Sequence, residues 1–304
     1  MRARPRRRPA AALVAACVVA GVAFALPASR AAARTTSPMP VVAGFYPVAW
    51  AAQQVGGNRV KVANLTPVGA EPHDLELTTD QRDAIDDAKV VFVMGRKFQP
   101  AVEAAAAQRD GRTVVLLDHL GLGSSGALAQ DPHVWLDPTL MLGIVDQVEH
   151  ALADASPPDR AAFAQRADAL RAELAALDTR FRDGLADCRR DTIVTSHEAF
   201  GHLAHAYGLH QEGVAGISPD GEPDARRLAA LADLARTRGV TTVFTERLVS
   251  RRLARTLARE AGGLRTVVLD PLEGLTAKER AGGDDYLSVM GTNLVKLRAA
   301  LDCP

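Results

Sequence analysis

Four of the eight histidines lie in one short stretch, TSHEAFGHLAHAYGLH at residues 195–210. Imidazole is a common zinc ligand, but spacing limits which of these rings could act together. His197 and His205 are eight residues apart, about 12 Å along a helix. They cannot share an ion whose bonds are about 2.1 Å long. Gly201 stands where a zinc protease of the H-E-x-x-H type has its second histidine, so that chemistry is excluded. His197 is the best metal ligand of the four, because it follows a β-rich run directly.

Further metal-competent side chains lie in loops or at the ends of predicted strands. Open parallel sheets bind ligands beyond the carboxyl ends of their strands. The candidates are His73 in GAEPHDLELTT, His133 in DPHVWLDP, His197 after DTIVTS, and Asp270, which ends LRTVVLD. Three imidazoles and one carboxylate are a suitable tetrahedral set for Zn²⁺.

Each candidate also has a simpler structural explanation. A histidine in a loop is often a surface or hydrogen-bonding residue, and the role of the Asp-Pro dipeptide at 270 could be simply to shape a turn. His73 and His133, however, both follow an acid-Pro dipeptide, where the backbone is stiff and the ring direction is restricted. Carboxylates such as Asp137 or Glu198 could orient the rings.

The elements that must position these residues alternate between β-rich and amphipathic helical runs, twice along the chain. This rhythm predicts an α/β fold with βαβ units. Between the two halves, residues 157–188 read as helical for about thirty residues, or about 45 Å. That length favours a connector between two lobes over a helix inside a single domain. We therefore expect two lobes, at 39–156 and 190–304, each with a small parallel sheet flanked by helices. One long rigid helix would join them.

The first 33 residues have the order of an export signal. Six arginines and no acid accompany an uncharged apolar run, Ala10–Leu26, and small residues follow. A retained membrane anchor is the alternative, although 17 residues barely span a bilayer. VAAC, which ends at Cys17, resembles a lipobox and would place a lipid anchor there.

Removal of this signal changes the net charge of the chain and leaves Cys188 and Cys303 as its cysteines. Six of the 36 basic side chains and none of the 36 acidic ones lie in it, so 30 basic and 36 acidic side chains remain. This acidic balance argues against a nucleic-acid partner and mildly favours a cation. In an oxidising compartment Cys188 and Cys303 could form a disulfide, or stay as two separate thiols.

The motifs together resemble one family: the metal-binding subunits of bacterial ABC importers, the zinc/manganese cluster of solute-binding proteins. The matching pieces occur in the family's order. They are GAEPHDLELT, DPHVWLDP, SHEAFGHLAHAYGL, GISPDGEPDARRL, VLDPLEG and YLSVMGTNL.

The resemblance implies two lobes on one rigid helix, with one divalent metal ion in the cleft between them. It implies the ligands His73, His133, His197 and Asp270, and delivery of the ion to an ABC permease in the membrane. A histidine at the third position favours Zn²⁺, because Mn²⁺ prefers more oxygen ligands. We expect an exported monomer that is not an enzyme, since four protein ligands leave no open position for catalysis.

Two departures and two alternatives remain. Leu75 and Leu77 replace the aromatic residue and proline that the family usually has after EPH, and residues 119–132 contain only His119 instead of a long histidine-rich loop. The alternatives are a Mn²⁺ or Fe²⁺ receptor of the same family and a surface adhesin, the latter because related proteins have been described as adhesins.

Overall fold

The computed structural model describes residues 1, 37–123, 125–219, 221, 223–247 and 252–304. The expected export signal and Cys17 fall almost wholly within residues 2–36, outside this part of the chain. Residues 37–304 form one compact unit. Among the described helices, none combines the length and apolar character needed to cross a membrane.

The first sheet contains four parallel strands in the order β2-β1-β3-β4. The strands are β1 (Met39–Ala43), β2 (Val60–Asn64), β3 (Val90–Val93) and β4 (Arg112–Val115). The helices around them are α1 (Tyr46–Gly56), α2 (Thr79–Asp87), α3 (Pro100–Gln108), α4 (Ala127–Gln130) and α5 (Pro138–Ala155). β3 is valine-rich and wholly buried, as expected of a central parallel strand covered by helices on both faces. α2 begins at a capping box formed by Thr78 and Gln81.

The long helix α6 (Arg160–Leu185) follows a 3₁₀ turn at Pro157–Asp159. Its 26 residues correspond to about 39 Å. Its buried residues recur at helical spacing and form one apolar stripe: Phe163, Ala167, Leu170, Leu174, Leu177, Phe181 and Leu185. The helix packs against α1 and α5 of the first half and against the last helix of the second half.

The second sheet repeats the arrangement of the first, in the order β6-β5-β7-β8 with all strands parallel. The strands are β5 (Thr192–Thr195), β6 (His210–Gly213), β7 (Thr242–Thr245) and β8 (Arg265–Val268). The helices are α7 (Gly201–Ala206), α8 (Ala225–Thr237), α9 (Arg252–Glu260), α10 (Ala277–Gly282) and α11 (Tyr286–Leu301). The predicted fold class is therefore confirmed: two parallel sheets flanked by helices, with a long helix between them. The lobe boundaries at 39–156, 157–188 and 190–304 stay a prediction.

A disulfide joins Cys188, just beyond α6, to Cys303, just beyond α11. Backbone hydrogen bonds reinforce the junction, because Arg189 N–H donates to the Asp302 carbonyl and Arg190 N–H donates to that of Leu301. The end of the long helix is thus tied covalently to the end of the helix that packs on it.

Candidate metal centre

Four side chains from four different loops meet where both sheets present the carboxyl ends of their strands. His73 lies in the loop after β2, and His133 begins a 3₁₀ turn between β4 and α5. His197 is two residues beyond β5, and Glu273 is five residues beyond β8. Their ligand atoms all lie within 4.8 Å of one another. Each sheet therefore contributes two of the four groups.

Four of the six separations within this group match those around a tetrahedral ion, and all six are within 4.8 Å. Glu273 Oε1 lies 3.3 Å from His73 Nε2, 3.3 Å from His133 Nε2 and 3.2 Å from His197 Nε2. The Nε2 atoms of His133 and His197 are 3.4 Å apart. Ligand atoms about 2.0–2.1 Å from a tetrahedral Zn²⁺ ion are about 3.3–3.4 Å from one another. These four groups are therefore candidate zinc ligands.

Buried carboxylates hold two of the rings in the orientation that metal binding needs. Asp131 Oδ1 lies 2.7 Å from His133 Nδ1, and Glu246 Oε1 lies 2.8 Å from His197 Nδ1. The same two oxygens accept the backbone N–H groups of these histidines. A proton on Nδ1 donated to the carboxylate leaves the Nε2 lone pair free for an ion.

The carboxylates suggested by the sequence act elsewhere. Asp137 caps α5, where its Oδ1 accepts the N–H and the hydroxyl of Thr139. Glu198 contacts Arg227 at 3.7 Å on a partly exposed surface. Their positions in sequence, close to His133 and His197, gave no information about the direction of their side chains.

The third ring, His73, is held by its loop. Its backbone N–H donates to Glu71 Oε1, and its ring packs edge-on against Phe98. Burial, together with the nearby charge of Glu273, raises the pKa of Glu71 to about 8. Gln99 fixes the backbone that precedes His73, because its Nε2 donates to the carbonyl of Pro72 as well as to that of Gly44, directly after β1. His73 is the only one of the four groups that is not fully buried.

The electrostatics of the group favour a cation. Burial alone would lower the pKa of His133 and of His197, but hydrogen bonds and charges of the surrounding carboxylates outweigh it and raise both. Burial would likewise raise the pKa of Glu273, but the three histidines around it lower the pKa well below its usual value. The site therefore holds an ionised carboxylate among rings that carry positive charge readily, an environment suited to a bound positive ion.

Asp270, the carboxylate predicted to complete the site, is not brought into this group. Its Oδ1 accepts the Leu272 N–H at 2.8 Å, and its Oδ2 accepts from Arg247 Nε at 3.2 Å. Burial raises its pKa to about 6. Glu273 lies in the group instead, because the chain turns sharply between the two acids. The second acid in VLDPLEG was the available signal, and the sequence reasoning missed it.

The remaining histidines of the 195–210 stretch lie outside the group. His202 is buried on α7, with Nε2 3.1 Å from the Asp131 carbonyl. His205 is exposed, and His210 is the exposed first residue of β6. Within the described ranges, His73, His133, His197 and Glu273 are the only such cluster.

A two-sheet α/β scaffold thus carries, between its strand ends, a buried cluster of three histidines and a glutamate that could hold a metal ion. The family model described as zinc-uptake complex component A, periplasmic, matches residues 41–300. The chain belongs to this family, which confirms the resemblance drawn from its motifs. The periplasmic description also agrees with the predicted export.

Relatives and solved structures give the same assignment. The zinc-binding protein AdcA of Streptococcus pyogenes serotype M6 is 34% identical over 288 residues, which cover 86% of this chain and 56% of that protein. The chain thus spans about half the length of these relatives. The high-affinity zinc uptake system protein ZnuA of Bacillus subtilis is 32% identical, over 86% of this chain and 87% of that protein. The Zn(II)-bound ZnuA-like domain of Streptococcus pneumoniae AdcA superposes with a TM-score of 0.75 at 33% identity, covering 87% of this chain and 99% of that one.

Proposed function

We propose that this protein captures one Zn²⁺ ion with His73, His133, His197 and Glu273 and delivers it to an ABC permease in the membrane. The observation that carries the proposal is the set of separations between Glu273 Oε1 and the three Nε2 atoms, 3.2–3.3 Å. They correspond to the edges of a zinc tetrahedron. The zinc-named relatives support the same cargo.

The donor set also argues for zinc over manganese or iron. Three imidazoles and one carboxylate oxygen suit Zn²⁺, whereas Mn²⁺ prefers more oxygen ligands. Four protein ligands fill a tetrahedral site and leave no position for a reactive water, so the site is that of a receptor rather than of a hydrolase. The monomeric state and the permease partner belong to the same proposal.

Competitive titration tests the proposal. Metal-free protein is titrated with zinc in the presence of a chromophoric chelator, and we expect saturable binding of one ion per chain. Parallel competition with Mn²⁺ and Fe²⁺ should leave zinc bound. Absence of one-to-one zinc binding would refute the function, and tighter binding of Mn²⁺ at equal concentrations would refute the choice of metal.

The matched variants are His197→Ala and His205→Ala. The two histidines belong to the same stretch, but only the first belongs to the metal group, and the second is exposed on α7. We expect the first substitution to weaken zinc binding at least about a hundredfold, because the ion loses one of four ligands and Glu246 loses its partner. The second should change it less than about twofold. Equal effects would contradict the assignment of ligands.

A further inference from the structure

Arg247 contacts both ends of the segment 270–279, which carries Glu273. It follows Glu246, beyond the end of β7, and its Nε lies 3.2 Å from Asp270 Oδ2 and 2.6 Å from Glu279 Oε1. Asp270 starts the segment and Glu279 lies in the first turn of α10. Both carboxylates are buried, whereas the Arg247 side chain is 37% exposed. A charged donor shared by two buried carboxylates is a strong and directional contact.

The near end of this segment is fixed by Asp270 in three further ways. Its Oδ1 accepts the Leu272 N–H at 2.8 Å, and its backbone N–H and carbonyl are both hydrogen-bonded to the side chain of Asn293 on α11. Leu272 has φ of +58° and is fully buried. A left-handed conformation is unfavourable for a leucine, so its surroundings must enforce it. This turn is what directs Glu273, the next residue, toward the three histidines.

The far end is equally constrained. Glu279 Oε2 accepts both the backbone N–H and the hydroxyl of Thr276, which form the capping box that begins α10. The carboxylate that meets Arg247 is therefore held by its own helix and does not swing freely. An arginine placed between two fixed carboxylates sets the distance between the two ends of the segment.

The neighbour of Arg247 holds another ligand, since Glu246 orients His197. We propose, on the basis of the proposed zinc site, that Asp270 and Arg247 are positioning residues that place Glu273 on the ion. Neither of them touches the ion. The dipeptide Glu246-Arg247 thereby adjusts two ligands from two different loops at once. In this arrangement Asp270, which the sequence predicts as a ligand, acts through Glu273, three residues later.

The test uses the full-length protein and the variants Asp270→Asn, Arg247→Gln and their double. Glu273→Gln removes the ligand itself. Asp154→Asn is the matched control, because it removes a carboxylate that contacts Arg112 and Arg160 in exposed ion pairs. Each protein is measured for zinc affinity by chelator competition and for the visible absorption of its Co²⁺ form. The Co²⁺ bands report the number and type of ligands, which a purely structural role would not alter.

We expect Asp270→Asn and Arg247→Gln each to weaken zinc binding about tenfold, as is usual for groups that orient a ligand. The double variant should lose less than the sum of the two single losses, because both substitutions break the same Asp270–Arg247 pair. Both singles should keep the wild-type Co²⁺ spectrum at saturation, whereas Glu273→Gln should change it. Arg247→Lys should recover part of the loss, since it keeps the charge. Asp154→Asn should match wild type.

Three results would overturn the inference: unchanged zinc affinity in both singles, additive losses in the double variant, or a Co²⁺ spectrum altered by Asp270→Asn and not by Glu273→Gln. The last result would make Asp270 a ligand. Zinc binding by the wild type distinguishes failure of the positioning role from failure of the proposed function. If wild type binds one zinc ion and the singles bind it equally well, only the inference falls, and if wild type binds none, both fall. Arg247→Gln, at a partly exposed side chain, keeps the test valid should Asp270→Asn fold poorly.

Discussion

Replacing Glu246 by glutamine should weaken zinc binding without removing any atom that touches the ion. Glu246 Oε1 lies 2.8 Å from His197 Nδ1, and both side chains are buried. Its negative charge makes Nδ1 the protonated nitrogen and Nε2 the free one. Glutamine has nearly the same shape but no charge, so the change isolates the electrostatic part of this contact.

The expected loss of zinc affinity depends on which end of the glutamine amide faces His197 Nδ1. If glutamine presents its carbonyl oxygen to Nδ1, the tautomer is kept but a charge-assisted hydrogen bond becomes a neutral one of about half the strength. If it presents its amide N–H₂, it forces the proton onto Nε2, which blocks the ion. Losses of about 10- to 100-fold are typical for such contacts. They correspond to about 1.4–2.7 kcal/mol of binding free energy.

The assay is chelator competition at fixed pH, with Glu212→Gln as the control. Glu212 lies in β6 of the same sheet and contacts Arg227 near the surface instead of a metal ligand. Its replacement should leave zinc affinity within about twofold of wild type, as for other exposed ion pairs. A Glu246→Gln variant that binds zinc as tightly as Glu212→Gln would refute the orienting role.

Three further predictions follow from the same contacts. Zinc affinity should fall as pH decreases, because protons compete with the ion for the Nε2 atoms of His133 and His197. The pKa of each ring is raised, so the loss should begin above the ordinary imidazole value of about 6.5. A zinc affinity that stays constant between pH 8 and 5.5 would contradict this prediction. Asp131→Asn should weaken zinc binding about tenfold, because Asp131 orients the ring of His133 as Glu246 orients that of His197. The same competition assay measures this, and an affinity equal to that of wild type would argue against the orienting role of Asp131. Replacing Cys188 and Cys303 together by serine should lower the free energy of unfolding by about 5 kcal/mol, because the bond closes a loop with a sequence separation of 115. Calorimetry of the metal-free proteins measures this change, and a value below about 1 kcal/mol would contradict the prediction.

The fold and three of the four metal groups could be predicted because their signals are local. Strand–helix alternation is visible in the sequence, and parallel strands gather their carboxyl ends at one edge. His197 follows its strand directly, and His73 and His133 follow acid-Pro pairs that restrict the backbone. Each of these facts concerns a few adjacent residues.

The choice between the two acids of VLDPLEG could not be made in this way, because contacts between distant parts of the chain decide which of them reaches the histidines. Glu273 reaches the histidines only because Leu272 adopts a left-handed conformation and Arg247 holds the segment. The orienting carboxylates show both cases. Asp131 is two residues from its histidine in DPH and was a signal available in the motif. Glu246 is 49 residues from His197 and meets it only through strand pairing in the second sheet.

Trp135, which the sequence shows only as part of DPHVWLDP, bears on how an ion could reach the candidate metal centre. Trp135 Nε1–H donates to the carbonyl of Pro271, next to the turn that carries Glu273, and the Trp135 carbonyl accepts the hydroxyl of Tyr286. Both bonds are buried and join the two halves of the chain. Separating the halves would break both bonds and expose their groups to water, at a net cost of about 0.5–1.5 kcal/mol each. These two bonds add to the cost of separating the halves, so we expect an ion to reach the candidate centre through motion of individual loops, foremost that of the less buried His73.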